Sequence, residues 1–422
     1  MTNYSLPYGD SSVTISLDEK QVKAVLTGNK VEPITSIKNA LYSAMDCPIK
    51  AEPLTNLKTS TKVALVISDM SRFWMRQDLV VPHIISYLTE RCSVQLENIT
   101  IVIANGTHLA DDEKTMRTLV TDAVYDSVKL ENHDCLAKDL VYLGTTSYKT
   151  PVHINKTVAN ADWVICLGAC THHVLAGYGG GRKSILPGVS GIETINHNHA
   201  YSLDPNVFRS NPRIGNGVLE NNPLHQDMCE AADMLPNLFM INLVMNADMQ
   251  LAGIFAGHPH ASWEAGCKEV DRIYCRPIDE QADVVIASCG GYPKDMSLYQ
   301  GTKSIDNLES AIKIGGTLIL CIEAREGGGP EEYFDWIVPL QENTIEEKLR
   351  NNFTIPGYIF FLNCEQASRF NIKLLTSIPN ETVAPMGIKA YSTMDALMAD
   401  MDFTDKTIYV VPNGSTVIPV VN

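Results

Sequence analysis

Three near-continuous runs of aliphatic and β-branched residues, Val63–Ser68, Ile99–Ala104 and Trp163–Leu167, do most to limit what this chain can become. None alternates polar with apolar residues, so each reads as a strand covered on both faces. Helical patterns separate them. One runs from Leu79 to Cys92, with Pro82 tolerable in its first turn, and a polar one begins near Asp111. Doubly covered strands spaced by helices are parallel strands, and the fold class is α/β. The region from about 215 to 275 reads as mainly helical, broken between Gly253 and Pro259. A second βα series starts at Asp283–Ser288. It continues with a helix near Ser304–Lys313, a strand at Thr317–Ile322, short strands near 358–362 and 372–376, and a last strand at Thr407–Val411. At roughly 100–200 residues per domain, two domains are expected, each a mostly parallel sheet flanked by helices. They are drawn at 1–278, with 405–422 returning to complete it, and at 279–404, with the active site in the cleft between them.

Charge and cysteine usage exclude several classes. Lys and Arg number 33 against 49 Asp and Glu, a net charge of −16 that repels nucleic acid and anionic membrane. The 11 cysteines include no C-x-x-C pair, and Cys166, Cys289 and Cys321 lie in apolar runs, which reads as reduced core thiols in the cytoplasm. The first residues lack a basic stretch followed by an apolar one, so no signal peptide is expected. No apolar run reaches the roughly 18 residues of a membrane span. The chain carries no internal repeat.

In open α/β sheets, ligands bind beyond the carboxyl ends of the strands, and polar groups of this chain gather there. The first strand delivers Asp69, Ser71 and Arg72, and the second Gly106, Thr107 and His108. The third leads into Thr171 to Gly188, which holds His172, His173, the glycine run 177–181 around Tyr178, and Lys183; His197 and His199 follow. The strand at 283–288 leads to Gly290, Gly291, Tyr299, Gln300 and Lys303. A lysine in a glycine-rich loop can bind phosphate or act as a nucleophile. The block is not the phosphate loop G-x-x-x-x-G-K-[ST]: Arg182 precedes the lysine, and Pro187 falls where the helix should run, at a cost of about 3 kcal/mol. His172 and His173, adjacent on a strand, should face opposite ways. His197 and His199, two apart, would share a face in extended chain. Other features read as ordinary structure: His133, His153, His225, His258 and His260 have no comparable setting, and Asn221-Asn222-Pro223 reads as a helix-start turn.

The ordered set Asp69-x-x-Arg72, Gly106-Thr107-His108, His173-x-x-Ala176-Gly177-Tyr178-x-Gly180-Gly181-x-Lys183-x-x-Leu186-Pro187-Gly188, His199 and Tyr299-Gln300-x-x-Lys303 resembles the nickel-dependent lactate racemase family along nearly the whole chain. The resemblance implies a racemase or epimerase of a small 2-hydroxy acid that works by reversible hydride transfer. It implies a nickel-pincer nucleotide, a pyridinium-3,5-bisthiocarboxylic acid mononucleotide carrying nickel, tethered covalently to Lys183 and supplied by cofactor-synthesis enzymes. Nickel's fourth ligand maps onto His199, with His197 as the fallback. The acid/base histidines map onto His108 and His173. Arg72, Tyr299, Gln300 and Lys303 map onto substrate binding, and Asp69, Ser71, Gly177, Tyr178, Gly179, Gly180 and Gly181 lie near the nucleotide. Assembly into a homo-oligomer is left open.

The chain departs from the family's pattern at Met70 and Phe73, at the bulky Trp74-Met75-Arg76, and between Phe353 and Phe361, where a Gly-His-Lys pattern is absent. If these positions border the pocket, the substrate is larger or more apolar than lactate, or a sugar acid. Two other readings compete. An ordinary nucleotide-dependent oxidoreductase would need G-x-G-x-x-G directly after an early strand, with an acidic residue about 20 further on, and neither 63–68 nor 99–104 is followed by one. A non-catalytic binding or carrier protein for a nucleotide-like cofactor or hydroxy acid would have no need for His108, His173, Lys183 and His199 together.

Overall fold

The Val63–Ser68 strand lies deep in a six-stranded sheet, paired in parallel with Ile99–Ala104 on one side and Trp163–Ala169 on the other. The structure, a computed structural model, describes residues 1–422 apart from the side chain of Asn56. Its contacts divide the chain into two units, one of residues 30–201 and 213–273, the other of 1–29, 202–212 and 274–422.

In the first unit the sheet runs in the order Leu251–Gly257, Leu238–Met245, Trp163–Ala169, Val63–Ser68, Ile99–Ala104, Lys129–Asn132, and only the Leu251 strand is antiparallel. Leu65, Ile67, Ile101, Ile103, Ile165 and Leu167 are wholly or almost wholly buried beneath the Ile37–Asp46 and Val81–Glu90 helices. Pro82 occupies the first turn of the second helix, where its missing N–H is not needed.

The region 215–275 is not mainly helical. It holds the Pro223–Asp233 and Pro259–Tyr274 helices, but Leu238–Met245 and Leu251–Gly257 are strands. All eight residues of Leu238–Met245 are buried, and apart from Asn242 all are apolar, so no alternation separates strand from helix. The turn that reverses the chain is built by the Asn246 Oδ1, which accepts from the amides of Asp248 and Gln250.

The second unit has an all-parallel sheet in the order Lys389–Tyr391, Asn371–Leu375, Ile312–Cys321, Ala282–Ser288, Ile408–Val411, Val22–Val25. The expectation that 405–422 completes the first domain is therefore corrected, because Ile408–Val411 pairs in register with Ala282–Ser288. Residues 1–29 also belong here, through Val22–Val25 and the Thr2–Tyr8/Ser11–Leu17 hairpin, whose Leu6, Ile15 and Leu17 enter this unit's core. The strand expected near 358–362 is part of a helix, Ile355–Arg369. Thr354 caps it by accepting from the Gly357 amide, and Tyr358 and Phe360 are buried within it. Among the described residues no helix is long and apolar enough to cross a membrane.

Candidate functional site

At the carboxyl end of the Val63 strand, Asp69 turns its side chain to the neighbouring loop. Its Oδ2 lies 2.6 Å from His108 Nδ1, and its Oδ1 accepts from Ser71 Oγ at 2.7 Å. Arg72 Nη1 donates to Ser71 Oγ at 3.0 Å. Burial pushes the Asp69 carboxyl up, but the hydrogen bond and charge of His108, with Ser71 and Arg72, outweigh it and hold the carboxyl below its ordinary value. A carboxylate facing Nδ1 makes that nitrogen the N–H and leaves the lone pair of a neutral ring at Nε2. Asp69, expected near a nucleotide, thus orients His108. The loop carrying His108 is anchored by the Gly106 amide, which donates to the Gly188 carbonyl at 3.0 Å and so ties it to the Lys183 block.

His172 and His173 point to opposite sides of a two-residue strand, as alternation requires. His172 Nε2 meets Asp271 Oδ1 at 2.9 Å, and Tyr178 Oη donates to the same carboxylate. His173 faces the other way, its Nε2 3.1 Å from Lys183 Nζ. Its Nδ1 accepts from the amides of Leu175 and Ala176 at 3.1 and 3.2 Å.

The glycine run is shaped by the chain's own packing. At Gly180 (φ +71°) a Cβ would sit 2.8 Å from the Ala169 carbonyl oxygen, and at Gly181 (φ +52°) 2.7 Å from the Trp263 ring. The loop's amides are also used internally. Tyr178 N donates to Ala176 O, Gly179 N to Thr171 O, and Gly181 N to Asn242 Oδ1. Arg182 is buried and clamps the loop from below. It donates to the carbonyls of Tyr178 and Ala176 and lies 4.0 Å over the Trp263 ring, whose Nε1 donates to Gly179 O. The loop is a rigid mount for Lys183, with those three amides turned to its own chain.

His197 and His199 do not share a face. They lie on the Ile192–His199 helix, where residues two apart project to nearly opposite sides. His197 Nδ1 bonds Thr150 Oγ1 at 2.9 Å. His199 is buried, with Nδ1 3.0 Å from the Ile195 carbonyl. Burial, and then the charge of Lys183, push its pKa down to about 3, so the ring is neutral, and Nδ1–H on a carbonyl puts its lone pair at Nε2. The helix is held by Asp227, which is fully buried and accepts from Thr146 Oγ1 (2.6 Å), Thr150 Oγ1 (2.7 Å) and Asn198 Nδ2 (2.8 Å). Asn222 caps the Pro223–Asp233 helix, as its sequence implied, and also donates to the Leu175 carbonyl beside His173.

In the other unit, Tyr299, Gln300 and Lys303 lie together after the Ala282–Ser288 strand. Lys303 Nζ donates to Gln300 Oε1 at 2.8 Å and sits 4.6 Å from the Tyr299 ring centre. The bulky departures do not all border a pocket. Met75 is buried in the first unit's core with Phe73 and Trp74 packed against it, and Phe361 stacks on Phe208. Of that group Met70 and Arg76 are exposed. Sequence reasoning missed Asp227, Asn242, Trp263 and Asp271. No local motif marks them, and their partners lie far off in sequence, from 29 residues for Asp227 and Asn198 to 99 for Asp271 and His172.

Residues 8–210 match the lactate racemase N-terminal domain, and residues 278–419 match the lactate racemase C-terminal domain. Two relatives named lactate racemase are similar to the chain. The one from Thermoanaerobacterium thermosaccharolyticum is 29% identical over 343 residues, covering 80% of this chain and 78% of its own. The one from Lactiplantibacillus plantarum is 28% identical over 337 residues, covering 79% and 78%. The solved lactate racemase apoprotein from T. thermosaccharolyticum superposes with a TM-score of 0.89 at 26% identity, over 99% of this chain and 100% of that one.

Proposed function

The chain belongs to the lactate racemase family, and from that premise we propose that it is an isomerase that inverts the carbinol centre of a 2-hydroxy acid, using a nickel-pincer nucleotide tethered at Lys183. The observation that carries this reading is the state of His199. It is a buried, neutral imidazole whose Nδ1–H is fixed on a backbone carbonyl, the arrangement that orients a metal-binding Nε2. The donor set suits the group. His199 would offer the metal an imidazole nitrogen, a donor that suits nickel, and Lys183 would offer a primary amine for the tether.

The α-hydrogen of a 2-hydroxy acid is poorly acidic beside an ionised carboxylate, and its departure as hydride avoids a carbanion. When bound, the nickel-pincer nucleotide supplies the acceptor for that hydride. The chain's own residues manage the oxygen and the carboxylate. His108 takes the hydroxyl proton at Nε2, and the imidazolium that results lies against the Asp69 carboxylate. The 2-oxo acid is planar and open to hydride from either face, and His173 serves its oxygen on the other side. Arg72 supplies positive charge for the carboxylate, and Tyr299, Gln300 and Lys303, which lie together in the other unit, are assigned to substrate binding by the family resemblance.

Intact-mass and nickel measurements on chain co-expressed with the pincer-synthesis enzymes test the proposal. A nickel-bearing adduct that is lost in Lys183→Ala is expected, together with racemisation of lactate or another member of a 2-hydroxy-acid panel. Absence of adduct and nickel, with the synthesis enzymes active on a control relative, would favour the non-catalytic carrier.

A further inference from the structure

The second unit's sheet reverses its strand order between Ala282–Ser288 and Ile408–Val411. From Ala282–Ser288 the chain steps outward through Ile312–Cys321, Asn371–Leu375 and Lys389–Tyr391, then crosses back to lay Ile408–Val411 on the other side. In open parallel sheets the crevice beyond the carboxyl ends at such a reversal is where ligands bind. The loops at this one are Cys289-Gly290-Gly291 and Asn413-Gly414-Ser415. They run to different neighbours. Gly291 (φ +72°) packs against Pro7 and Gly9, and the Gly414 carbonyl accepts from Asn307 Nδ2 at 2.8 Å. From where a Gly290 Cβ would stand, Asn413 Oδ1 is 2.9 Å and Lys294 Nζ 3.5 Å away. Lys294 is half-buried, and among the described residues its ammonium has no acceptor and no carboxylate partner. The adjacent Asp295 is committed elsewhere, its Oδ2 accepting from the amides of Gly9 and Glu323. Burial pushes the Lys294 pKa down, so holding the charge there unpaired costs stability. The amides of Gly291, Asn413 and Ser415 likewise find no acceptor among the described residues, and Ser415 Oγ has no partner. The Lys183 loop is the opposite case, with the amides of Tyr178, Gly179 and Gly181 turned to its own chain.

We propose that this crevice is a second ligand site, in which Lys294 and the amides of the two loops take the oxyanion of a small phosphorylated or carboxylated molecule. The proposed function gives these groups no part: it places the cofactor on Lys183 and the substrate on Arg72 and the Tyr299, Gln300 and Lys303 group. An ammonium meets phosphate or carboxylate as a point charge, and loop N–H groups add directed bonds to it. Gly290 and Gly291, both at positive φ, carry no side chain that would hold a ligand off the backbone.

The test uses the full chain without cofactor, deuterated and followed by assigned ¹H–¹⁵N spectra. Inorganic phosphate and acetate are titrated separately, with chloride at matched ionic strength as the blank. With at least one of them the amides of Gly291, Asn413 and Ser415 should shift together and saturate, with a Kd of about 1 mM. A response to acetate marks a carboxylate-bearing ligand, and a response to phosphate alone marks a phosphorylated one. Lys294→Met keeps the apolar stem and should weaken binding at least about tenfold, whereas Lys294→Arg keeps the charge and should retain it. Absence of these shifts in the native chain with both probes would overturn the proposal without any variant having to be interpreted. Equal affinity in Lys294→Met, with the rest of the spectrum unchanged, would also overturn it. Neither Lys183 nor His199 takes part, so a negative result leaves the proposed function standing, and failure to form the cofactor adduct leaves this site standing.

Discussion

Replacing Asp69 with Asn keeps the shape of the side chain and removes its charge, and two separate consequences can be worked out. The first is electrostatic. When His108 accepts a proton, its contact with Asp69 becomes a charge-assisted hydrogen bond, a class that contributes about 1.5–3 kcal/mol. The Asp69 side chain is 9% exposed but that of His108 is 53% exposed, so water screens the pair and the lower end applies. A loss of about 1.5 kcal/mol slows turnover roughly tenfold. The second consequence is tautomeric. An Asn amide can present its N–H to Nδ1, which moves the imidazole hydrogen to Nε2 and removes the base. The same exchange in a serine-protease triad costs about 10⁴ in kcat. Asp69→Asn should therefore lower kcat by about 10²–10⁴, and Asp69→Ala, which loses the charge but leaves the tautomer unforced, by only about 10–10². The assay is the initial rate of conversion of one lactate enantiomer, resolved by chiral chromatography, on proteins matched for nickel content. KM should stay within about threefold, because Asp69 is not assigned to the substrate. A kcat for Asp69→Asn within threefold of the native value, or a larger loss in Ala than in Asn, would refute the reasoning.

Three further outcomes follow from the buried polar groups. Asp227→Ala leaves the Thr146, Thr150 and Asn198 donors without their acceptor, and denaturant unfolding should show a loss of about 3–5 kcal/mol; a loss below 1 kcal/mol would mean that the network carries little weight. His199 and His225 both have pKa values pushed down to about 3, chiefly by burial. The unfolded chain thus binds more protons than the folded one between about pH 6.5 and 3, and stability must fall as the pH drops through that window, by up to about 1.4 kcal/mol per unit for each group. His199→Gln should flatten the slope of urea midpoints between pH 6.5 and 5, and an unchanged slope would remove His199 as its source. Burial likewise pushes Arg182 down to about 10, so the fold disfavours its charge by about 3 kcal/mol, which offsets the bonds it makes. Arg182→Met should therefore change stability by less than about 2 kcal/mol, read from urea midpoints, and a larger loss would mean that its bonds outweigh the cost of burying its charge.

What could be read from sequence divides along a physical line. Val63–Ser68 and Ile99–Ala104 were legible because strands between helices are apolar on both faces and bounded by polar loops. Leu238–Met245 was not, although it is just as buried, because its partner across the turn is Leu251–Gly257, whose Gly253 and Gly257 resemble a break in a helix. Ile355–Arg369 failed in the opposite sense, since its apolar run around Phe360 and Phe361 is buried nearly all round and has lost its helical period. In the site, His108, His173, Lys183 and His199 stood out because glycine-rich strand-end loops rarely gather such groups for structure alone. Their states could not be read the same way. Whether His108 accepts or donates depends on Asp69, 39 residues earlier, and whether His199 stays neutral depends on its burial on a helix that Asp227 holds from 29 residues beyond Asn198. Asp69 shows the consequence most clearly. The family resemblance put it near the nucleotide, and nothing local to it in sequence showed that its carboxylate also decides which nitrogen of His108 holds the proton. Residue type and strand-end position identify which groups can do chemistry. The direction in which each proton moves is set by second partners whose closeness only the folded chain creates, and for that reason the charge-neutral Asp69→Asn should harm turnover more than outright removal of the side chain.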